Sequence, residues 1–498
     1  MSRRRVAVIG GGPAGLYAAR LLKVARPDWA VTVHERMRGS RDTFGFGVVL
    51  TGSTMSNLRA ADPATADDIH GAAHTGHTLR LLHGEQAVEL HGARNLTIAR
   101  SALLEVLARH ARAAGVILRT GAHTAAAELD ADVIIAADGA RSATREKLAT
   151  ELGAQVDIGR GLYIWCGADV ALPHSTFASA RTGHGVFVAH AYPYAADRST
   201  FLIEADQSSL RAAGMTTEDG GLAPDGSDEH SLRYLQRAFT GLLSGHRLLG
   251  NRSRWLRFPT VHLRRWSHGN VVLIGDAAHT AHYTLGSGTK LAMEDAIALS
   301  RALLAEPDPA TAFAEYEKSR RESVHRFQAL AARSQRWWES FPLRERYRPA
   351  ETLALGFLTR AGNITLDHLA AGGRQPLLDA LNQYAGTAMD RLPPDPVDWT
   401  LSRPAVPAGP VTSSIAWSDP DPWSGPADAV VARLRTAPPD AIRLHGGDGR
   451  RAVQGRIDLA ERLKLELGRT VTVEVPGSAR AEAAAALVCG RVDRVHLT

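Results

Sequence analysis

Two cysteines in 498 residues, Cys166 and Cys489, are too few for a disulfide framework or a cysteine-based metal site. Long apolar runs are missing too: none approaches the roughly 18 residues that a spanning helix needs, so no membrane partner is expected. Aromatic residues make up 6% of the chain, and of 58 basic residues only five are lysine. No Lys/Arg-rich block interleaved with aromatics occurs, which argues against nucleic acid despite the net charge of +6. A GC-rich genome accounts for part of the arginine excess; the functional alternative is arginines that bind a phosphorylated small molecule. The start, MSRRRVAVIGGGPAGLYAARLL, mimics a secretory leader, but glycines and a proline interrupt its apolar stretch after five residues. It reads as a strand and a turn, and a cytoplasmic protein is expected.

What is present points to several domains. The length and a 44% hydrophobic fraction allow two or three. A β-branched strand at 6–9, a helix at 14–24 and a strand at 30–35 make a βαβ unit. A helix pattern at 99–115 and the apolar run DVIIAAD at 132–138 continue it, and VVLIGD at 271–276 returns to the buried-strand pattern. Between them GLYIWCGADV, GVFVAHAYPY and STFLIEAD are strand-like and separated by turns, so a mostly antiparallel sheet is expected as an insertion. The expected fold class is α/β. Its parts are a discontinuous Rossmann-like domain (1–155 and 250–305), a β-sheet substrate domain (156–249) and a helical extension (306–392). A Pro-rich extended linker (393–425) and a small α/β unit (426–498) follow.

The chemistry begins at Gly10-Gly11-Gly12-Pro13-Ala14-Gly15. Glycines there permit a tight turn and a close approach to a pyrophosphate, while the following helix offers N–H donors and the positive end of its dipole. Glu35 ends the next strand 20 residues after Gly15, where its carboxylate can accept ribose hydroxyls, with Arg36 beside it. Asp138, in ADGARSATR (137–145), and Asp276, in GDAAH (275–279), stand at the ends of two further strands. Gly286, Gly288 and Thr289 lead straight into a helix, so its N-terminal dipole faces whatever lies beside them. Glu294 and Asp295, deeper in that helix, read as helix surface. HTAH (279–282) has an H-x-x-H spacing but no third ligand nearby, so no metal is expected.

These three motifs, in this order, resemble the single-component FAD-dependent aromatic hydroxylases, the group A flavoprotein monooxygenases. The resemblance implies that Asp138 serves FAD and the nicotinamide donor, that Asp276 contacts the ribityl chain, and that Arg100 reaches the FAD from the third helix. Two positions depart from the broad family: Tyr283 replaces the usual proline near the flavin, and Lys290 the usual asparagine after the second glycine. HTAHYTLGSGTKLAMEDAIAL, DTFGFGVVL (42–50), VAHAYPY, STFLIEAD, RFPTVHLRRWSHGNVVLIGD and LTRAGNIT (358–365) are similar to the salicylyl-CoA 5-hydroxylase and anthraniloyl-CoA monooxygenase branch. Phe44, Phe46 and Tyr192 fall in these segments and are expected to bind substrate. Some members of the branch carry an old-yellow-enzyme-like barrel after the hydroxylase. The last 70 residues or so resemble its final two strand–helix units, which cannot close or hold FMN, so a degenerate remnant is expected, packing on the hydroxylase or serving a homodimer contact.

The resemblance implies a monooxygenase in which NAD(P)H reduces FAD, O2 adds at the flavin C4a, and the hydroperoxide passes its distal oxygen to an electron-rich aromatic acyl-CoA. A base near the ring would assist a phenol. His282 and Tyr283, before the flavin glycines, and His190, on the presumed substrate sheet, are the candidates, each with a purely structural role as the alternative. Arg320, Arg321, Arg326, Arg333 and Arg336 on the long helix are candidate CoA contacts, against the plainer reading of a solvated face. Two alternatives stay open: oxygenation of a non-benzenoid, tropone-like acyl-CoA in a natural-product pathway with loss of the thioester, and a flavin-binding protein without turnover.

Overall fold

The computed structural model describes residues 4–39, 45–90, 95–217, 223, 225–372, 374–406 and 410–498. They form two compact units, Met1–Thr78 with Ala93–Glu339, and Leu79–Gly92 with Ser340–Thr498.

In the first unit, strand Arg5–Ile9 is buried from Val6 onward and strand Val133–Ala136 at every position. Strands buried on both faces belong inside a parallel sheet covered by helices. The sheet runs Ser267–His268, Val271–Leu273, Val133–Ala136, Arg5–Ile9, Ala30–Glu35, Ile117–Thr120, with every pairing parallel except the first. Helix Pro13–Ala25 makes the first crossover; Pro13 sits in its first turn, where the missing N–H costs nothing. It packs against helices Arg100–Ala113 and Gly288–Ala305, and the latter also packs on the long helix Pro309–Glu339.

Inserted into this Rossmann-like fold is an antiparallel sheet of Leu248–Leu249, Ala154–Ala168, Arg198–Ala205, Gly185–Ala195 and His174–Thr182, with Leu256–Leu263 paired along the first part of the 154–168 strand. The register aligns Trp165, Leu202, His190 and Phe177 in one row across four strands, and Tyr163 with Glu204 in the neighbouring row two residues away. Because side chains alternate faces with period two, these residues share a face. Among the described residues no helix is long and apolar enough to cross a membrane.

The second unit joins elements that the sequence alone separates. A hairpin of Thr78–His83 and Gln86–Leu90 belongs mostly to it, because Val88 and Leu90 are buried where helices Ala350–Thr359 and Arg374–Ala385 pack on the second strand. The Pro-rich stretch read as an extended linker contains helix Pro396–Leu401, with Pro396 in its first turn and the Asp395 carboxylate capping Asp398 N–H at 2.8 Å. The same stretch supplies strand Ser413–Ala416, which pairs in parallel with Ala441–His445. Four strands therefore make the small sheet: Ser413–Ala416, Ala441–His445, Thr470–Val475 and Arg494–Leu497, all parallel and adjacent in chain order. Helices Gly425–Thr436, Arg450–Leu467 and Arg480–Val488 connect them.

At the base of this unit the Glu461 carboxylate is buried and accepts from Arg344 Nε (2.8 Å) and Nη2 (2.7 Å) and from Arg491 Nε (3.1 Å). Burial alone would raise its pKa; the two guanidinium groups overcome that and hold it at about 2. Replacing Glu461 with Gln strips the charge that two buried arginines share. The expected cost is about 3–5 kcal/mol of unfolding free energy, read by urea denaturation followed by circular dichroism.

Candidate functional site

The turn after Ile9 closes on itself. Gly10 has φ +104°, and a Cβ there would lie 2.2 Å from Ala137 O; a Cβ on Gly15 would lie 2.1 Å from Gly10 O. Gly12 instead faces open space and precedes helix Pro13–Ala25 without any side-chain cap, so the first-turn N–H groups remain free for an anionic ligand. Ala14 is buried where a Cβ on Gly275 would meet it at 3.2 Å. Glu35 accepts from Gly11 N–H (2.6 Å) on one oxygen and Met37 N–H (2.7 Å) on the other; Arg36 beside it is exposed.

Asp138 accepts from Ser142 Oγ (2.6 Å), Thr144 N–H (3.1 Å) and Thr144 Oγ1 (3.0 Å), which makes it the organiser of its own turn. Arg145 in that turn is buried and donates to Ala140 O (2.6 Å), Ala277 O (3.1 Å) and Asp276 O (3.3 Å), tying it to the GDAAH loop. Asp276 is exposed, yet protein crowds it enough that lost hydration lifts its carboxyl above the ordinary range, opposed first by Arg100 and then by His279. Arg100 heads its helix, and its N–H donates to Phe46 O at 2.8 Å. A second helix start lies close by in sequence: Gly286 has φ +62°, and Gly288 and Thr289 open helix Gly288–Ala305, again with no side-chain cap hydrogen bond. Two such N-termini, a buried arginine in Arg145, and glycines that admit no side chain suit a long anionic dinucleotide.

Glu294 and Asp295 are not on the helix surface. Helix Gly288–Ala305 is covered by Pro13–Ala25 and by Pro309–Glu339, so its acids point inward. The Asp295 carboxylate accepts from Gly275 N–H (2.9 Å) and Arg320 Nε (2.9 Å), and His279 Nε2 lies 2.7 Å away. Burial would raise its pKa, but His279 and Arg320 hold it below the usual carboxylate range. Glu294 takes Arg320 Nη1 (3.2 Å), Asn57 Nδ2 (2.7 Å) and the Lys290 ammonium. The long-helix arginines likewise do not form one solvated face: Arg320 and Arg333 are buried, Arg321 pairs with Glu317, and Arg326 is exposed. His279 and His282 turn to different partners, since His282 Nδ1 meets Thr284 Oγ1 at 3.2 Å.

The aromatic face of the inserted sheet meets the loop before Gly286. Tyr283 lies 5.0 Å from Tyr163, 5.7 Å from Phe258 and 4.1 Å from His282, between ring centres. His190 lies 4.4 Å from Trp338 and 4.9 Å from Phe177. One buried carboxylate stands among them. Glu204 Oε1 accepts from the Tyr283 hydroxyl at 2.9 Å and lies 3.0 Å from His190 Nε2, without the alignment of a hydrogen bond. Burial pushes Glu204 up, but His190 and the Tyr283 hydroxyl leave it lower than an ordinary glutamate. Burial also drives His282 down to about 4 and Tyr283 well above its usual value, so both are neutral at pH 7.

The structure thus brings together the three candidates His190, His282 and Tyr283. Phe46 lies on the same sheet over Gly167, where a Cβ would come within 2.4 Å of its ring. The Tyr192 hydroxyl donates to Gly47 O at 2.8 Å and so fixes the segment that carries Phe46. Phe44 lies outside the described residues. Glu204, Arg145 and Trp338 escaped the sequence reading. An acid directly after the apolar run Phe201-Leu202-Ile203 was the available signal for Glu204.

Asp295→Asn should cost about 3–5 kcal/mol of stability and release FAD, measured by denaturation and by flavin fluorescence in the filtrate. His282 takes its proton near 6.5 when unfolded but only near 4 when folded, so its share of stability is present above 6.5 and is lost as pH falls toward 4. His282→Asn should flatten the stability profile in that window by up to about 1.4 kcal/mol per pH unit, seen by comparing urea midpoints across pH.

The chain matches the family model described as FAD binding domain over residues 3–132 and 116–330. It is 41% identical over 363 residues to a salicyloyl-CoA 5-hydroxylase of Streptomyces sp, covering 72% of this chain and 70% of that protein. It is 42% identical over 371 residues to the 3-hydroxy-4-methyl-anthranilyl-[aryl-carrier protein] 5-monooxygenase of Streptosporangium sibiricum, covering 74% and 97%. The fold is shared with crystallised 2-methyl-3-hydroxypyridine-5-carboxylic acid oxygenase at TM-score 0.56 and 22% identity, over 76% of this chain and 98% of that one. Fingerprint turn, GDAAH loop, inserted sheet and these likenesses together make the chain a member of the FAD-dependent monooxygenases of the aromatic hydroxylase family.

Proposed function

We propose that the protein hydroxylates an aromatic ring delivered as a thioester, on CoA or on a carrier protein, using NAD(P)H and O2. The observation that carries the reading is the aromatic face of the inserted sheet, which meets the loop before Gly286 and Gly288 around a single buried carboxylate. Both relatives, by their names, act on rings bound as thioesters, and each ring has a hydroxyl or amino group beside the acyl carbon.

In this reading Gly10, Gly12, Pro13, Ala14 and Gly15 hold the pyrophosphate of FAD, Glu35 and Arg36 flank its ribose, Arg100 and Asp276 attend its middle, and Gly286, Gly288 and Thr289 line its ring. When bound, FAD supplies the two-electron chemistry that activates O2 and passes one oxygen atom to an electron-rich carbon. The chain's own task is to hold the ring and exclude water. Tyr163, Phe258, Tyr283, His190, Phe177 and Trp338 offer apolar walls for that. Neutral His282 and Tyr283 bring no competing charge, while ionised Glu204 supplies a fixed negative charge among them. Asp138, fully engaged in its own turn, acts by shaping the loop rather than by touching a nicotinamide.

The test is NADPH and NADH oxidation by the FAD-loaded protein with 2-hydroxybenzoyl-CoA, 2-aminobenzoyl-CoA and the matching free acids, with products weighed after reaction under labelled O2. Thioester-dependent oxidation with one labelled oxygen in the ring is expected. Turnover of free acids but not of thioesters would remove the reading.

A further inference from the structure

We propose that Glu204 is a positioning residue that fixes Tyr283 as a hydrogen-bond acceptor, so that the site selects rings carrying a hydroxyl or amino donor. The proposal rests on the reading above for the kind of molecule that enters the site. A tyrosine hydroxyl has one proton and two lone pairs. In this protein the proton is spent: it points at Glu204 Oε1, 2.9 Å away. What Tyr283 can still offer an incoming ring is lone-pair electrons.

The surroundings keep that orientation one-way. Glu204 is 7% exposed and sits on a strand buried at nearly every position, so water does not compete for its oxygens. His190, from the neighbouring strand, stands 3.0 Å from the same Oε1 and favours the ionised, acceptor-only carboxylate. The groups that face Tyr283 from the other elements are His282 on its own loop, Tyr163 on the 154–168 strand, and Glu339, which acts through its charge from the end of the long helix. Tyr163 is itself pushed up to about 12 by burial and stays neutral, and a second acid in Glu339 opposes a tyrosinate. Reversing the Tyr283 hydroxyl would leave the Glu204 oxygen buried without its donor. A ring with a donor completes the chain from ring to Tyr283 to Glu204. A ring with only an acceptor at that place meets lone pair with lone pair, and a buried polar mismatch discriminates far more strongly than a missing methyl group.

The experiment measures dissociation constants for 2-hydroxybenzoyl-CoA, 2-aminobenzoyl-CoA and 2-methoxybenzoyl-CoA from the change in flavin absorbance of the oxidised, FAD-loaded protein. The native protein should bind the two donor rings at least tenfold more tightly than the methoxy ring. Glu204→Leu removes the acceptor, frees the tyrosine proton to face the ligand, and should abolish or invert that preference. Glu204→Asp, which keeps an acceptor, should retain it. A merely structural role for Glu204 predicts weaker binding of all three ligands with an unchanged ratio, and an unchanged ratio in a flavin-loaded Glu204→Leu protein overturns the proposal. If that variant does not hold flavin, Tyr283→Phe serves: retention of the donor preference without the hydroxyl overturns the proposal equally. Failure of the parent reading looks different, with no thioester binding to the native protein; the same ratio is then read between 2-hydroxybenzoate and 2-methoxybenzoate.

Discussion

The two oxygens of Asp295 draw together the Gly275 amide, His279 and Arg320, which belong to the strand end, the loop after it and the long helix. Few other arrangements would keep an unsolvated carboxylate satisfied, and an unpaired one would cost several kcal/mol. The consequence is positional. Gly275 has φ +60° and lies between Ala14 and Ala292, each 3.2 Å from where a Cβ would stand. With its amide pinned from behind by Asp295, the next residue, Asp276, has one way to emerge at the edge of the sheet. Arg145 then binds the carbonyls of Asp276 and Ala277 and brings the Asp138 turn into register with it. The first-turn amides of helix Pro13–Ala25 and the Asp276 loop thus keep a fixed separation because small residues and one ion cluster leave no slack between the two helices.

Glu204 is another buried carboxylate of the first unit, and the contrast with Asp295 explains their different uses. Asp295 accepts from Gly275 N–H on one oxygen and from Arg320 Nε on the other, with the His279 imidazole 2.7 Å away but, like His190 beside Glu204, not aligned as a donor; both of its oxygens are engaged, which makes it structural. Glu204 has one close donor in the Tyr283 hydroxyl and one imidazole whose N–H is not aligned with it. It stands among rings rather than among helices. Electrostatic influence is strongest where water is scarce, so an acid left partly unsaturated in that place acts outward, through Tyr283, upon whatever shares the space.

Much of the architecture is legible in the residues themselves. Strand, glycine turn and helix at the start, and apolar runs ending in Asp138 and Asp276, determine a parallel sheet with its ligand edge; alternating segments between them announce the antiparallel insertion. What escaped has a common physical cause, which is that burial of a polar side chain depends on partners distant in sequence. Asp295 reads as helix surface until a second helix with Arg320 is laid over it, 25 residues further on. Glu204 gains its meaning from Tyr283, 79 residues away. The helix at 396–401 is a different kind of oversight, since Asp395 before Pro396 is a local start signal that the density of prolines masked. Strand Ser413–Ala416 has four residues, of which only Ile415 is buried, and a pattern so short is visible only once its partner strand is in place.

The small parallel sheet raises a problem of its own. Four adjacent parallel strands in chain order are the way successive units of a closed barrel are laid down, but four cannot close, and each connecting helix then lacks a neighbour on one side. The second unit meets this with helices drawn from outside the sheet. Ala484, Ala485 and Val488 on the last connecting helix are buried in one cluster with Leu355, Leu366, Leu377 and Val397, so the helices of 350–401 cover one side of that helix. The far side of that helix packs its own sheet, where Ala483, Ala486 and Leu487 join Val473 and Val492. An alanine-rich helix between two apolar layers suits this double duty, because small side chains let both layers approach closely. The Glu461 cluster repeats the theme in charge: Arg344 comes from the helical segment, Arg491 from the loop before the last strand, and the carboxylate between them joins the borrowed helices to the open sheet. The open four-stranded sheet is in this way stabilised as half of a shared core.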